Sequence, residues 1–489
     1  MAVSPLTAPP GSQQAAETTI AGLADTFQAA IRRVVPPLAL GVLVLAGVLA
    51  FTAPPRLPVF LASAAPGLAV IWASRSRNGQ VLPILPLYAA LQALAFSAPL
   101  FAATIAADWR VEITPELLTR CSLPLALWLP ALWLGWRATP GRMLRQRRAK
   151  ALSDELQKPG SLPHALLAAA IAIQLLISSP LYWQLLGDQA QGLLTPLRTV
   201  ASLATVAGAF TGAYAWSLQR LRRPGLWLLL FLVPFYQGLS SLLLSSTQTM
   251  VIAALLGLWL GRSRQALVIT LAGLLLLAFL NNGKHELRGL YWGTGAPPPS
   301  NPVVLLRQWV DASLKPSSAS GEASRGNLFT DRFNNLQNLL YVEQQLQRGT
   351  PTLEGESITV IPQVLLPRIL NPGKVRSQEG QVLLNLHFGR QRDRESTEAA
   401  YIAWGFLAEG VGNFGSVVGP LVMGVATGCL IRLSENIGRG QLILSTPGLL
   451  SLALMVFWLT SYEMAASTFA AAAFQVIVTV LAVGWWFGR

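Results

Sequence analysis

Val34-Val-Pro-Pro-Leu-Ala-Leu-Gly-Val-Leu-Val-Leu-Ala-Gly-Val-Leu-Ala-Phe-Thr-Ala53 carries no ionisable side chain and follows directly on Arg32-Arg33. A bilayer core of about 30 Å asks for about 20 apolar residues in a helix, and this stretch supplies them with a basic pair at one edge. Its prolines and glycines are tolerated in a membrane-spanning helix. Segments of the same character recur at 57–73, 81–106, 117–136, 162–186, 193–217, 225–243, 247–261, 265–282, 401–431, 447–463 and 466–487. The 489 residues are 52% hydrophobic and 12% charged, about half the charged share of a soluble domain, which leaves too little polar side chain to cover a globule. The sequence predicts an all-α polytopic integral membrane protein with about 12 transmembrane helices.

The net charge of +14 is unevenly placed. With the N-terminus in the cytoplasm, the inner side holds Arg32, Arg33, Arg75, Arg77, the basic residues of 137–158, Arg220, Arg222, Arg223, Arg262, Arg264, Arg432, Arg439 and Arg489. These are 19 basic residues against five acidic ones, Glu17, Asp25, Asp154, Glu155 and Glu435, while the short outer loops hold only Arg56 and Arg110. The positive-inside rule selects this orientation, with both termini cytoplasmic. The inner balance equals the whole net charge, so the basic character reads as topogenic rather than as a nucleic-acid surface. Residues 1–33, rich in Ala, Pro, Thr and Gln, read as a disordered cytoplasmic tail without the apolar core of a signal peptide. Two cysteines exclude a disulfide scaffold. His164, His285 and His387 lie too far apart for a local histidine metal motif.

Helices one to nine (34–282) and ten to twelve (401–489) flank one large extracytoplasmic loop, 283–400, with 13 basic and 11 acidic residues. Within it, 331–348 has an acidic start, apolar Phe333, Leu336 and Leu340, and a Gly349 and Pro351 stop. This predicts an amphipathic helix on the membrane surface or the helix bundle. Residues 358–370 are apolar but cut by Pro362 and Pro367, too short to span, and predict a segment inserted between helices. Arg368, Lys374, Arg376, Arg390, Arg392 and Arg394 follow. Guanidinium forks suit phosphate oxygens, so the cluster fits a lipid pyrophosphate; equally, its charges could pair with Asp393, Glu395 and Glu398 on a solvated loop.

Ionisable groups inside spans are functional candidates by default. Arg120, Arg198, Glu409 and Glu463 all fall near outer helix ends, where the arginines can snorkel. Glu409 cannot reach as far and sits in Gly405-Phe-Leu-Ala-Glu-Gly-Val-Gly-Asn-Phe-Gly415, whose small residues allow close helix approach or a break. Together these predict an outer-leaflet cavity with the cationic rim Arg120 and Arg198, with Glu463 beside it.

The passage Leu366-Pro-Arg-Ile-Leu-Asn-Pro-Gly-Lys374, then Ser396-Thr397 and the Gly405–Gly415 stretch, resembles the O-antigen polymerase, or oligosaccharide repeat-unit polymerase, family of the Wzy type. The resemblance covers roughly 330–430 and extends to the plan of a dozen helices with a late periplasmic loop. The family's pattern of Arg, ten residues, Gly occurs from Arg394 to Gly405. A second arginine-rich outer loop, often described for such polymerases, has no counterpart here. The resemblance implies a bacterial inner-membrane glycosyltransferase that joins undecaprenyl-pyrophosphate-linked oligosaccharides, inverting and without metal or other cofactor, alongside a flippase and a chain-length regulator. On this reading Arg376 and Arg394 neutralise pyrophosphate, helped by Arg368, Arg390 and Lys374, and Glu409 or His387 is the base. Three rivals stand beside it: a metal-dependent glycosyltransferase using Glu354 with Glu356 or Asp393 with Glu395, an O-antigen ligase, and a polysaccharide-repeat flippase.

Overall fold

Inside a bilayer only intrachain hydrogen bonds can satisfy the backbone, and the apolar runs fold accordingly. The computed structural model describes residues 20–74, 81–102, 105, 111–141, 161–187, 189–242, 244–261, 265–291, 298–299, 301–314, 334–366, 371, 373–399, 401–441 and 445–487. Every regular element among these is helical. The first ten are α1 (Ile20–Thr52), α2 (Leu57–Ser74), α3 (Ile84–Ser97), α4 (Pro115–Ala138), α5 (Leu162–Ser178), α6 (Pro180–Leu186), α7 (Gln189–Ser217), α8 (Pro224–Ser240), α9 (Leu244–Leu260) and α10 (Ala266–Tyr291). The late loop contributes α11 (Pro302–Leu314), α12 (Leu336–Gln347), α13 (Glu356–Thr359), α14 (Ile361–Leu365), α15 (Glu379–His387) and α16 (Arg394–Ala399). The chain closes with α17 (Phe406–Ile437), α18 (Thr446–Thr460) and α19 (Ala466–Phe487).

Six stretches among the described residues are long and apolar enough to cross a membrane: Phe27–Thr52, Pro54–Ser74, Ile84–Phe101, Pro115–Ala138, Val268–Tyr291 and Phe406–Ile437. Shorter apolar helices accompany them at Leu162–Ser178, Pro224–Ser240, Leu244–Trp259, Pro447–Thr460 and Ala466–Ala482. The chain is a multi-pass helical membrane protein. On α1, Leu40, Leu43, Val44 and Phe51 are exposed, an apolar surface suited to lipid rather than water.

Boundaries depart from hydropathy where a backbone signal interrupts an apolar run. Segment 162–186 is two helices, because Pro180 restarts the helix and Ser179 caps it, its Oγ accepting from the Tyr182 amide at 3.3 Å. Segment 81–106 gives α3 and then a tighter turn, Ala98–Phe101. Part of the stretch read as a disordered tail is helical: α1 begins at Ile20, which is buried and whose amide donates to the Gln441 carbonyl at 3.0 Å. α10 runs on to Tyr291, beyond the loop's expected start at 283.

The largest departure lies at 401–431, expected as one span. α17 is interrupted at Gly415, whose φ of 79° and ψ of 174° leave the helical region. Its two arms, 406–414 and 416–437, double back on each other. A Cβ on Gly410 would lie 2.9 Å from the Gly419 carbonyl oxygen, and one on Gly419 2.7 Å from the Val411 amide. In a straight helix these glycines would be about 13 Å apart along the axis. The short arm is thus a half-helix, and only the long arm, about 33 Å at 1.5 Å per residue, has the length of a crossing.

That long arm packs backbone to backbone on α4. Cβ atoms added at Gly424 and Gly428 would meet the Trp128 carbonyl at 2.9 Å and the Trp136 amide at 2.7 Å, and Gly135 on α4 faces Val425 just as closely. Small residues four apart permit this approach between membrane helices. Replacing Gly428 by valine should cost about 1–3 kcal/mol or more, since backbone cannot retreat as a side-chain tip can. A lowered thermal midpoint of the purified protein checks this, with Gly41→Val, which meets nothing within 4 Å, as control.

The packed helices give the bundle two distinct ends. At one, α12 sits on the junction between α3 and α4: the Asn335 amide donates to the Ala95 carbonyl (3.2 Å) and Asn334 Nδ2 to the Ile105 carbonyl (2.6 Å). At the other, Asn436 Nδ2 and Arg439 Nη1 donate to the carbonyls of Pro140 (3.2 Å) and Gly141 (2.8 Å). There the Glu435 carboxylate accepts from the Leu85 amide at the start of α3 (3.0 Å) and from Trp136 Nε1 (2.7 Å). Arg137, Arg432 and Arg439 gather at this second end.

Candidate functional site

At the first end, the amphipathic helix expected over 331–348 is α12, and it is embedded rather than laid on a surface: Leu336, Leu339, Leu340, Tyr341, Val342 and Glu343 are all buried. The apolar piece at 358–370 yields α13 and α14, with 367–370, including Arg368, outside the described residues. Its proline-cut length leaves backbone to be satisfied by neighbours: α14 packs on α19, and the Leu353 amide just ahead donates to the Gly412 carbonyl in the short arm of α17 (3.0 Å).

Two of the nominated arginines converge. Arg376 precedes α15 and Arg394 opens α16, yet both reach Glu398: Arg376 Nη1 lies 2.7 Å from Oε2 and Arg394 Nη1 3.4 Å from Oε1. Arg394 also forks onto Glu379, with Nη1 at 3.0 Å from Oε2 and Nη2 bonded to Oε1. The hydrogen bonds and charge of Glu379 hold the Arg394 guanidinium above its ordinary pKa. A hydrogen bond to the Tyr401 hydroxyl at 3.4 Å, reinforced by the charge of Glu398, does the same for Arg376. Both guanidiniums remain more than half exposed. Lys374 is half-buried on the same turn.

Other nominated residues have different work. Arg390 is buried, donating to Asn338 Oδ1 at 2.9 Å and lying over the rings of Tyr341 (5.2 Å) and Trp404 (5.5 Å). It clamps α12 to the chain entering α17. His387 Nε2 is bonded to the Pro351 carbonyl at 2.7 Å, which ties the end of α15 to the loop after α12. Arg120 is paired through Nε with the buried Glu343 at 2.7 Å. Glu463 Oε1 accepts from the Tyr462 hydroxyl (2.7 Å), and its carbonyl accepts from Gly405 (2.8 Å). Arg198, on α7, is exposed and stands apart from this group.

Glu409, nominated as base, is fully buried with both oxygens engaged. Oε1 accepts from Ser357 Oγ on α13 (2.8 Å) and Oε2 from the Ala466 amide at the first turn of α19 (2.6 Å). Asn413 Nδ2 donates both to Ser357 Oγ and to the Glu409 carbonyl, at 2.8 Å each. A carboxylate at a helix N-terminus meets unpaired amides and the positive end of the dipole. The same turn of α19 continues the chain of contacts outward: Ser467 Oγ (3.0 Å) and Thr468 Oγ1 (3.1 Å) donate to the Ser377 carbonyl, next to Arg376. Glu409 therefore anchors the floor beneath the paired arginines.

Asp393 caps α16. Its Oδ1 accepts from the Ser396 amide at 2.7 Å, and that bond holds its carboxyl below the usual carboxylate range. A carboxyl whose pKa falls on folding contributes stability above the usual range and loses it as pH drops through the folded value. Asp393→Asn should therefore raise amide exchange over 394–399 at neutral pH, with the difference from wild type vanishing in acid. A pH-independent difference would contradict the capping role.

Sequence reasoning missed Glu379, Ser357, Asn413 and Tyr401. Glu379 alone left a trace, as an unclaimed acidic residue within reach of the arginine run. Among the described residues, no three His, Cys, Asp or Glu side chains gather as a metal site. Compared with protein-family models, curated proteins and solved structures, the chain matches none.

Proposed function

We propose that this protein is an inner-membrane glycosyltransferase of bacteria that joins undecaprenyl-pyrophosphate-linked oligosaccharide units into O-antigen or exopolysaccharide. One observation carries the reading: two guanidinium groups, one from the turn before α15 and one from the start of α16, converge on a single small anion, the Glu398 carboxylate. A diphosphate likewise presents paired terminal oxygens to a guanidinium fork, with more charge, and can take the place of Glu398 between the two forks. In this reading the hydroxyl of an acceptor sugar attacks the anomeric carbon of the donor. The bond from that carbon to the pyrophosphate oxygen breaks, and the departing lipid diphosphate is met by Arg376 and Arg394. The hydroxyl proton passes to Glu398, released from its arginines by the incoming diphosphate.

The full proposal has about twelve spans and both termini in the cytoplasm. It is supported by Arg137, Arg432 and Arg439 at the end of the bundle opposite Arg376 and Arg394, as the positive-inside rule asks of an enzyme working at the periplasmic face. A ligase that passes finished glycan to another acceptor would use the same chemistry. A transporter is favoured by one feature, the broken helix at Gly415, since discontinuous helices are common at transport sites.

Deleting the gene in its host separates these readings. A polymerase deletion leaves surface glycan one repeat long, a ligase deletion leaves long polymer on its lipid carrier, and a flippase deletion traps single repeats on the cytoplasmic leaflet. Unchanged polymer length and yield would overturn the assignment.

A further inference from the structure

A second polar site lies away from the paired arginines. α5, α7, α8 and α9 surround a cavity of about 240 Å³, and its polar wall is formed by Gln174, Arg198, Ser202, Gln237, Ser246 and Thr249. The residues come from four helices but from one end of the group. Gln174 and Gln237 lie in the last turns of α5 and α8, and Ser246 and Thr249 in the first turns of α9. None of these helices is amphipathic in the manner of a water-facing surface; each is an apolar run interrupted here by amide or hydroxyl groups. Polar side chains inside a membrane domain are costly and need partners.

Two of those partners are missing. The side-chain oxygens of Gln174 and Gln237 are buried and accept no hydrogen bond. Dry cavities are apolar, and a polar one of this volume takes up water or a ligand. At the wall, Arg198 is exposed, and among the described residues no carboxylate lies within ion-pair distance of it. This differs from Arg120, Arg376 and Arg394, each of which is matched by a glutamate. The cavity thus presents one unmatched cation and two buried acceptors. Its complement has an anion to meet the guanidinium and hydroxyl donors to meet the amide oxygens.

We propose that this cavity binds a hydroxylated phosphoester, with Arg198 on the phosphate and Gln174 and Gln237 accepting from the hydroxyls. That chemistry occurs in glycerol-type lipid head groups and in soluble glycerol phosphate. The site stands whether or not the chain transfers sugars.

The test uses the full-length protein in nanodiscs and native mass spectrometry of retained lipid. Phosphatidylglycerol carries both elements, phosphatidic acid the phosphate alone and phosphatidylcholine neither a net charge nor a head-group hydroxyl. Phosphatidylglycerol should be retained above the other two, and Arg198→Gln should weaken it by about 10–100-fold, the loss of one charge-assisted contact. Gln237→Leu, which leaves the charge in place, should cut the preference for phosphatidylglycerol over phosphatidic acid by about tenfold. Arg222→Gln, at the opposite end of α8, should change nothing. Soluble glycerol phosphate that displaces the lipid at low millimolar concentration would identify the soluble molecule as sufficient; no displacement would assign the site to the lipid. Equal retention in wild type and Arg198→Gln, equal losses in Arg198→Gln and Arg222→Gln, or no preference over phosphatidic acid would overturn the proposal.

Discussion

Arg394→Lys should lower the rate of polymer formation by about 10²-fold, the scale seen when one fixed donor to a developing negative charge is removed. The substitution keeps a positive charge and removes the planar fork. In the structure that fork makes two parallel bonds to Glu379 and a third contact to Glu398, and an ammonium group cannot reproduce them from one nitrogen. Arg376→Lys should cost less, because Arg376 reaches Glu398 and Tyr401 through a single nitrogen. The loss should fall on kcat more than on KM, since the charge on the leaving diphosphate grows as the bond breaks. Glu398→Gln should likewise depress kcat, for want of a proton acceptor. Arg307→Lys makes the control: its partner Asp311 lies 4.0 Å away on the same exposed helix face, and such pairs contribute little. Turnover undiminished in the Arg376→Lys, Arg394→Lys double variant would move the diphosphate elsewhere.

How far the sequence speaks can be followed along particular residues. Apolar length locates α4 and α18 closely, because bilayer thickness sets helix length whatever the partners are. Hydropathy is blind to the break at Gly415, which replaces no apolar residue by a polar one and shows only in backbone angles and in the Gly410–Gly419 approach. The loop arginines were legible as a cluster but not as individuals. Arg390 stands two residues from Arg392 in the same basic run, yet Gly389, at a φ of 69°, turns the chain so that Arg390 points inward onto Tyr341 and Trp404. Arg120 meets Glu343, Glu409 the Ala466 amide and Glu435 the Leu85 amide across 223, 57 and 350 residues of chain. No local pattern encodes such pairings. Two buried glutamates at opposite ends of α17 each receive a first-turn amide of another helix, a device that composition presents merely as charge inside a span.

Glu409→Ala should destabilise the protein by about 3–5 kcal/mol, because two bonds to one buried acceptor disappear at once and bonds to charged groups are worth about 1.5–3 kcal/mol each. The Ala466 amide and the Ser357 hydroxyl both lose their acceptor in a place water does not reach. Glu409→Gln should cost less, about 1–3 kcal/mol: its amide oxygen can serve Ala466, but its nitrogen then faces a Ser357 hydroxyl that already accepts from Asn413. The consequence for activity follows from connectivity. α19's first turn holds the Ser377 carbonyl through Ser467 and Thr468, so loosening Ala466 loosens the residue beside Arg376. Stability and turnover should therefore decline together across Glu409→Gln and Glu409→Ala, and conditions that restore the fold, such as lower temperature, should recover activity in step. A catalytic base behaves otherwise, since its glutamine variant folds with wild-type stability and is inactive at every temperature. That outcome would return Glu409 to the reaction and refute its assignment as an anchor.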